Sequence, residues 1–243
     1  MHRRQVRRSN APAREPGSDR GVAIVLVLLG MLLLSALGMA LALNTSIERQ
    51  VSAAYSSSAE VFYAADAALE IALQGLSQVP DWNVVLTGAA STFVDGLAGP
   101  RVLPDGSLLD LEQVTDAANC GRSPCSMADM QVVTGARPWG ANNPVWLLYA
   151  HAPLEHLSPG VIDSNVYVVV WVADDPLETD GQPLVDGDTG SGGPNPGAGV
   201  LQVLVKAYGA GGTRRTLEAT LKRDASRTRV LSWRELRVGE ADR

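Results

Sequence analysis

The stretch that decides the fold is residues 22 to 43, VAIVLVLLGMLLLSALGMALAL, which contains no charged residue. At about 1.5 Å of rise per residue, a helix over this run is about 33 Å long, enough to cross a hydrocarbon core about 30 Å thick. The run therefore reads as a transmembrane helix. On its C-terminal side no proline occurs before Pro80, and the only glycine between Asn44 and Leu76 is Gly75. Nothing stops the helix at residue 43, so an amphipathic segment over residues 44 to 78 continues the span. Residues 22 to 76 then make one helical rod on the order of 80 Å long.

In this second segment the large apolar residues are Ile47, Val51, Tyr55, Phe62, Leu69, Leu73 and Leu76. Their spacings of three, four or seven put them on one side of a helix, the side expected to pack on a folded domain. The positions between them are small, among them Ala53, Ala54, Ser56, Ala64, Ala65, Ala67 and Ala68. Small residues let a neighbouring helix approach closely.

On the N-terminal side, residues 1 to 21 form a basic leader, with Arg3, Arg4, Arg7, Arg8, Arg14 and Arg20 against Glu15 and Asp19. Basic residues before a span hold that end in the cytoplasm and send the rest across the membrane. The chain as a whole has 26 Asp and Glu against 20 Lys and Arg. With the leader set aside the excess is larger, which argues against nucleic acid as a partner. An ordinary secretory signal has a shorter apolar core and a small-residue cleavage site after it. Here the leader ends in Arg20-Gly21 directly before the apolar run.

Arg20-Gly21, the uncharged span, and the block Glu60-Val61-Phe62-Tyr63-Ala64-Ala65-Asp66-Ala67-Ala68-Leu69-Glu70 resemble the N-terminal region of PilX-type minor pilins of type IV pili. The resemblance implies that prepilin peptidase cuts between Gly21 and Val22 and that the new N-terminus is methylated. It implies a single-pass inner-membrane protein with a cytoplasmic N-terminus, held in lipid before assembly and in the extracellular pilus after it. The implied partners are other pilins and minor pilins, the peptidase and the inner-membrane assembly platform. One position departs from the pattern of major pilins, which have Glu as the fifth mature residue; counted from Val22, that position is Leu26. Without the carboxylate, both the cost of a buried charge and a registration contact are lost. That suits a subunit at or near the pilus tip that promotes assembly. The alternatives are a K-type minor pseudopilin of type II secretion, disfavoured because no long helical insertion follows residue 80, and a signal-anchored exported binding domain.

Pro80 and Asp81-Trp82-Asn83 break the helix, and residues 79 to 223 read as an exported, mostly β domain. Pro104-Asp105-Gly106-Ser107 reads as a turn between Arg101 to Leu103 and Leu108 to Val114, with a helical turn near Asp116 to Asn119. Val145 to Ala150 is a strand, and Val166 to Val172, β-branched and aromatic throughout, is a strand buried on both faces. Val200 to Tyr208 and Thr213 to Arg223 flank Gly209-Ala210-Gly211-Gly212 as a hairpin. The fold class is α+β and pilin-like, with an antiparallel sheet against the long helix. The Arg-rich tail, 224 to 243, reads as a solvated or loosely docked end.

Residues 174 to 199 are skewed to Asp, Gly and Pro. Asp174, Asp175, Glu178, Asp180, Asp186 and Asp188 offer oxygens to Ca²⁺, but their spacing is not that of the helix-loop-helix calcium motif. A mobile, solvated connector is the preferred reading. Cys120 and Cys125, on the exported side, read as a disulfide closing a short loop, worth roughly 2 kcal/mol. A zinc set that adds His151 and His156 is disfavoured, since 25 residues intervene between Cys125 and His151 and Pro153 separates the histidines. Arg137-Pro138-Trp139-Gly140 and Trp146 read as turn and core residues. No HExxH, G-x-S-x-G, GxxxxGK[ST] or dinucleotide fingerprint is present. The reading is a structural protein that calls for no cofactor, not an enzyme.

Overall fold

Helix α1 runs Asp19–Gln78 in a computed structural model that describes residues 19–157, 159–178, 180–187, 198–224 and 227–236. Residues 1–18 of the leader, Asp188 with the rest of 188–197, and the end of the tail from 237 lie outside the described residues. The helix is unbroken because no proline falls between Pro16 and Pro80, and a residue that precedes proline is pushed out of the helical region. The chain falls into two units, Met1–Ala53 and Ala54–Arg243. In the first, every α1 side chain from Gly21 to Ala53 is exposed.

In the second unit α1 is followed by α2 (Asn83–Leu86), a hairpin of β1 (Pro100–Val102) and β2 (Leu108–Asp110), α3 (Leu111–Cys120) and α4 (Met127–Met130). Five strands come next: β3 (Leu147–Pro153), β4 (Tyr167–Asp174), β5 (Val200–Tyr208), β6 (Arg214–Asp224) and β7 (Arg227–Leu236). They form one antiparallel sheet in chain order, with Val170 opposite Val205 and Val205 opposite Leu217. The arrangement is α+β.

Alternation along the strands divides their side chains between two layers. Val168, Val170, Val172, Leu201, Val203, Val205, Leu217 and Leu221 pack with α1. Tyr167, Val169, Trp171, Leu204 and Tyr208 pack instead with Leu103, Leu109, Leu111 and Trp146 from the hairpin, α3 and the approach to β3. All eight residues of β4 are buried, as its unbroken apolar run predicts.

The face of α1 that enters the core differs from the expected stripe. It is made by Val61, Ala64, Ala65, Ala68, Leu69, Ala72 and Leu76, with Phe62 and Leu73 half-buried at its border. Ile47, Val51 and Tyr55 are exposed instead. The sheet already supplies bulky valines and leucines, so the helix contributes small residues and comes in close. Gly75 shows how close, because a Cβ there would lie 2.6 Å from the Tyr149 hydroxyl.

Two further differences have local causes. Leu108 to Val114 is not one strand: the Asp110 carboxylate accepts the Glu112 and Gln113 amides, starting α3 at Leu111, and Gly121, in the left-handed conformation, ends it. The tail does not leave the sheet at 224, since Arg227–Leu236 pairs with β6 as the outer strand. That strand has both faces wet and lacks the hydrophobic alternation that marks β6. Ion pairs hold it instead, Arg234 to Glu218 at 3.0 Å and Arg215 to Glu235 at 2.9 Å.

The C-terminal end of α1 is closed by distant groups. The Trp82 indole donates to the Leu76 carbonyl at 3.0 Å. Arg223, at the end of β6, donates to the carbonyls of Leu76, Val79 and Pro80 at 3.2, 2.7 and 2.7 Å. Its guanidinium also lies over the Trp82 ring, 4.1 Å from the centroid. A cation at this end complements both the orphan carbonyls and the helix dipole.

The β3 edge is covered by residues 91–95, which exchange backbone hydrogen bonds with Tyr149 and His151. Asp95 locks that segment in place. It accepts Arg101 Nε at 2.9 and 3.0 Å, the Tyr167 hydroxyl at 3.0 Å, and pairs with His151 Nδ1 at 2.9 Å. Burial alone would raise the Asp95 carboxyl, but the bonds from Arg101, His151 and Tyr167 hold it below its usual value. Burial lowers the His151 imidazole; Asp95 opposes that shift and Arg101 adds to it. Tyr167 is raised, chiefly by burial.

Two measurements check this account. Leu76→Ala should cost about 2–5 kcal/mol in unfolding free energy, and Tyr55→Ala no more than about 0.5 kcal/mol; comparable losses would show that the packed face is misassigned. The depressed His151 value contributes stability that is complete above its ordinary value of 6.5 and lost as pH falls through the lowered one. The gap in unfolding temperature between wild type and His151→Gln should therefore narrow from pH 7 to pH 5. A gap that widens would contradict the arrangement around Asp95.

Candidate functional site

Two features of the molecule lack an internal explanation. The first is the surface of α1 before residue 54. Val22, Ile24, Leu26, Leu28, Leu32 and Leu34 are between 60 and 72 % exposed. Over residues 22 to 43 this surface is uncharged and almost wholly apolar, which is not stable in water and needs lipid or other helices around it. Among the described residues, this is the one helix long and apolar enough to cross a membrane. Gly30 and Gly38 have open space where a side chain would be, which permits close approach of another helix. Gly21 lies within the helix and Val22 is exposed beside it. Ile47 and Val51 extend the exposed apolar surface rather than joining the core of the domain.

The second is acidic. β4 ends at Asp174, and the acids nearest to it are buried instead of lying in a solvated connector. Asp174 and Glu178 are each 3 % exposed and Asp175 is 8 % exposed, which corrects the reading of this part of the loop. Asp186 and Asp180 are half-buried. Carboxylate oxygens of Asp174, Glu178 and Asp186 all lie within 4.8 Å of one another. Asp174 Oδ1, both Glu178 oxygens and Asp180 Oδ2 are buried and have no hydrogen-bond partner among the described residues. Asp186 is positioned by its neighbours, its amide donating to Asn83 Oδ1 at 2.9 Å and its Oδ1 accepting the Gly199 amide at 2.7 Å. Asn142 donates its side-chain amide to the Glu178 carbonyl.

Burial raises the Asp174 carboxyl to about 9, with the charge of Glu178 adding to the shift. Glu178 is raised to about 8, again by burial first and then by Asp180, Asp175 and Asp186. Burial raises Asp186 too, although Arg223 opposes it. Like charges this close, with little water, favour protonation or a cation.

The remaining expected residues stand apart from both features. Cys120 and Cys125 are joined by an S–S bond, with their Cα atoms 5.8 Å apart, at the end of α3. His151 is bonded to Asp95 and His156 is exposed, so the zinc set is not assembled. Asp175 uses one carboxylate oxygen to accept the Leu177 amide at 3.1 Å. Arg137 supports a turn, donating to the Met130 and Pro144 carbonyls, and Trp146 belongs to the second core layer. Asp95 and Arg223 carried no sequence signal, because Asp95 meets His151 and Tyr167 of remote strands and Arg223 meets the distant end of α1.

Comparison with known proteins gives one match. The model of the PilX N-terminal family covers residues 20–70. No curated protein and no solved structure matches the chain. The matched residues begin beside Gly21, take in the whole exposed apolar surface of α1 and end in the alanine-rich face that enters the core. Over these residues the chain is similar to the PilX N-terminal family.

Proposed function

We propose that the protein is a minor pilin of a type IV pilus, made with a leader that prepilin peptidase removes between Gly21 and Val22. Residues 22 to 43 then anchor it in the inner membrane, with the N-terminus on the cytoplasmic side. From there the assembly platform adds it at or near the pilus tip, where it promotes assembly with other pilins and minor pilins. The observation that carries this reading is an uncharged helical surface, exposed from Gly21 onward, that lies inside the PilX N-terminal match. Such a surface is satisfied by lipid before assembly and by neighbouring pilin helices afterwards. Leu26 supports a tip position, since it offers no carboxylate for a neighbour's amine at the place where shaft subunits carry one.

The role asks for no catalysis by this chain, and the PilX family is structural. The bond between Cys120 and Cys125 suits an exported, oxidising compartment.

Intact-mass spectrometry of the membrane-extracted protein, from cells with and without prepilin peptidase, tests the proposal. The expected product is a chain that starts at Val22, appears only with the peptidase and carries one added methyl group. A chain that keeps residues 1 to 21 in both strains would overturn the proposal in favour of an uncleaved anchor.

A further inference from the structure

We propose that Asp174, Glu178 and Asp186 bind one calcium ion, which pins the β4 to β5 connection to the end of the sheet. The inference does not depend on the pilin reading. It starts from a cost: carboxylates taken out of water need partners. Glu178 is 97 % buried, since 3 % of it is exposed, and neither of its oxygens has a hydrogen-bond partner. Asp174 is equally buried and its Oδ1 is also unpartnered. These oxygens converge with one from Asp186 instead of turning toward amides or cations.

The donor set selects the ion. The clustered groups are carboxylates, with no imidazole or thiolate among them, so the site suits a hard cation and disfavours zinc. Oxygens bound to one Ca²⁺ at about 2.4 Å lie at most about 4.8 Å apart, whereas Mg²⁺ at about 2.1 Å brings opposite ligands to about 4.2 Å. The carboxylate oxygens here all lie within 4.8 Å of one another, inside the span of a single calcium ion. Calcium takes six to eight oxygens, and three carboxylates, each able to bind through one or two oxygens, leave room for water. Asp180 Oδ2, buried without a hydrogen-bond partner among the described residues, adds negative charge to the site.

The position gives the ion a structural role. Asp174 is the last residue of β4, and Asp186 receives the Gly199 amide just before β5 begins at Val200. Asp186 is also tied to Asn83 of α2. A bound ion would therefore join the start of the connection, its return and the element that follows the long helix. In its absence, protons must neutralise the same carboxylates.

The test uses the full chain in a nonionic detergent, stripped with EDTA. Calcium chloride is added during isothermal titration and during thermal unfolding, with magnesium chloride as the control. The expected result is one ion per chain and an unfolding temperature at least 5 °C higher in millimolar calcium, with a smaller shift in magnesium. Glu178→Gln and Asp174→Asn should each weaken calcium binding at least tenfold. Without calcium they should unfold no lower than wild type, because a neutral amide replaces a buried carboxyl that protons must otherwise neutralise. Absence of calcium heat and of any thermal shift in the folded wild-type chain would overturn the proposal. So would wild-type affinity in both variants. If a variant fails to fold, the wild-type titration decides alone.

Discussion

The structure of the second unit depends on the contact between the alanine-rich face of α1 and the apolar face of the sheet. Ala64, Ala65, Ala68 and Ala72 bring the helix backbone close to a surface of valines and leucines, and Val61, Leu69 and Leu76 fill the spaces between them. A larger residue at an alanine position would force the layers apart, and a smaller one at Leu76 would leave a void. The rest is arranged around this layer. The hairpin and α3 cover the other face of the sheet, residues 91–95 cover its β3 edge, and Trp82 with Arg223 satisfies the carbonyls where the helix stops.

The same helix carries the apolar surface on which the proposed membrane anchoring and assembly rest. One stretch of α1 finds its apolar partner within the chain, while residues 22 to 43 have none and must find it in lipid or in other subunits. A pilin helix meets both conditions in succession, first in the bilayer and then among neighbouring helices. The buried acidic cluster is a different matter: it concerns the folded domain alone, and its demand is for charge compensation rather than for apolar contact.

What the sequence made legible was what local periodicity controls. The span, the β4 strand and the β5 to β6 hairpin were each announced by runs of one residue class or by glycines between alternating arms. The packed face of α1 was less legible, because size was taken as the mark of burial whereas the sheet had already supplied the bulk. β7 was missed because an outer strand held by ion pairs shows little alternation. The Asp95 cluster was not visible at all, since its partners His151 and Tyr167 lie 56 and 72 residues away. The acids of the loop form a visible set in the sequence, but their burial does not show there, because it depends on contacts such as those of Asp186 with Asn83 and Gly199, which are remote in sequence.

The central claim is that the exposed helix of this chain is built to enter a pilus. The most direct measurement is to shear surface filaments from intact cells, purify them and probe them by quantitative mass spectrometry for peptides from the domain beyond residue 79. The account expects these peptides in the filament fraction, at far lower abundance than the shaft subunit, and their loss when assembly is blocked. Filaments that form normally while every copy of the chain stays in the membrane fraction would contradict it.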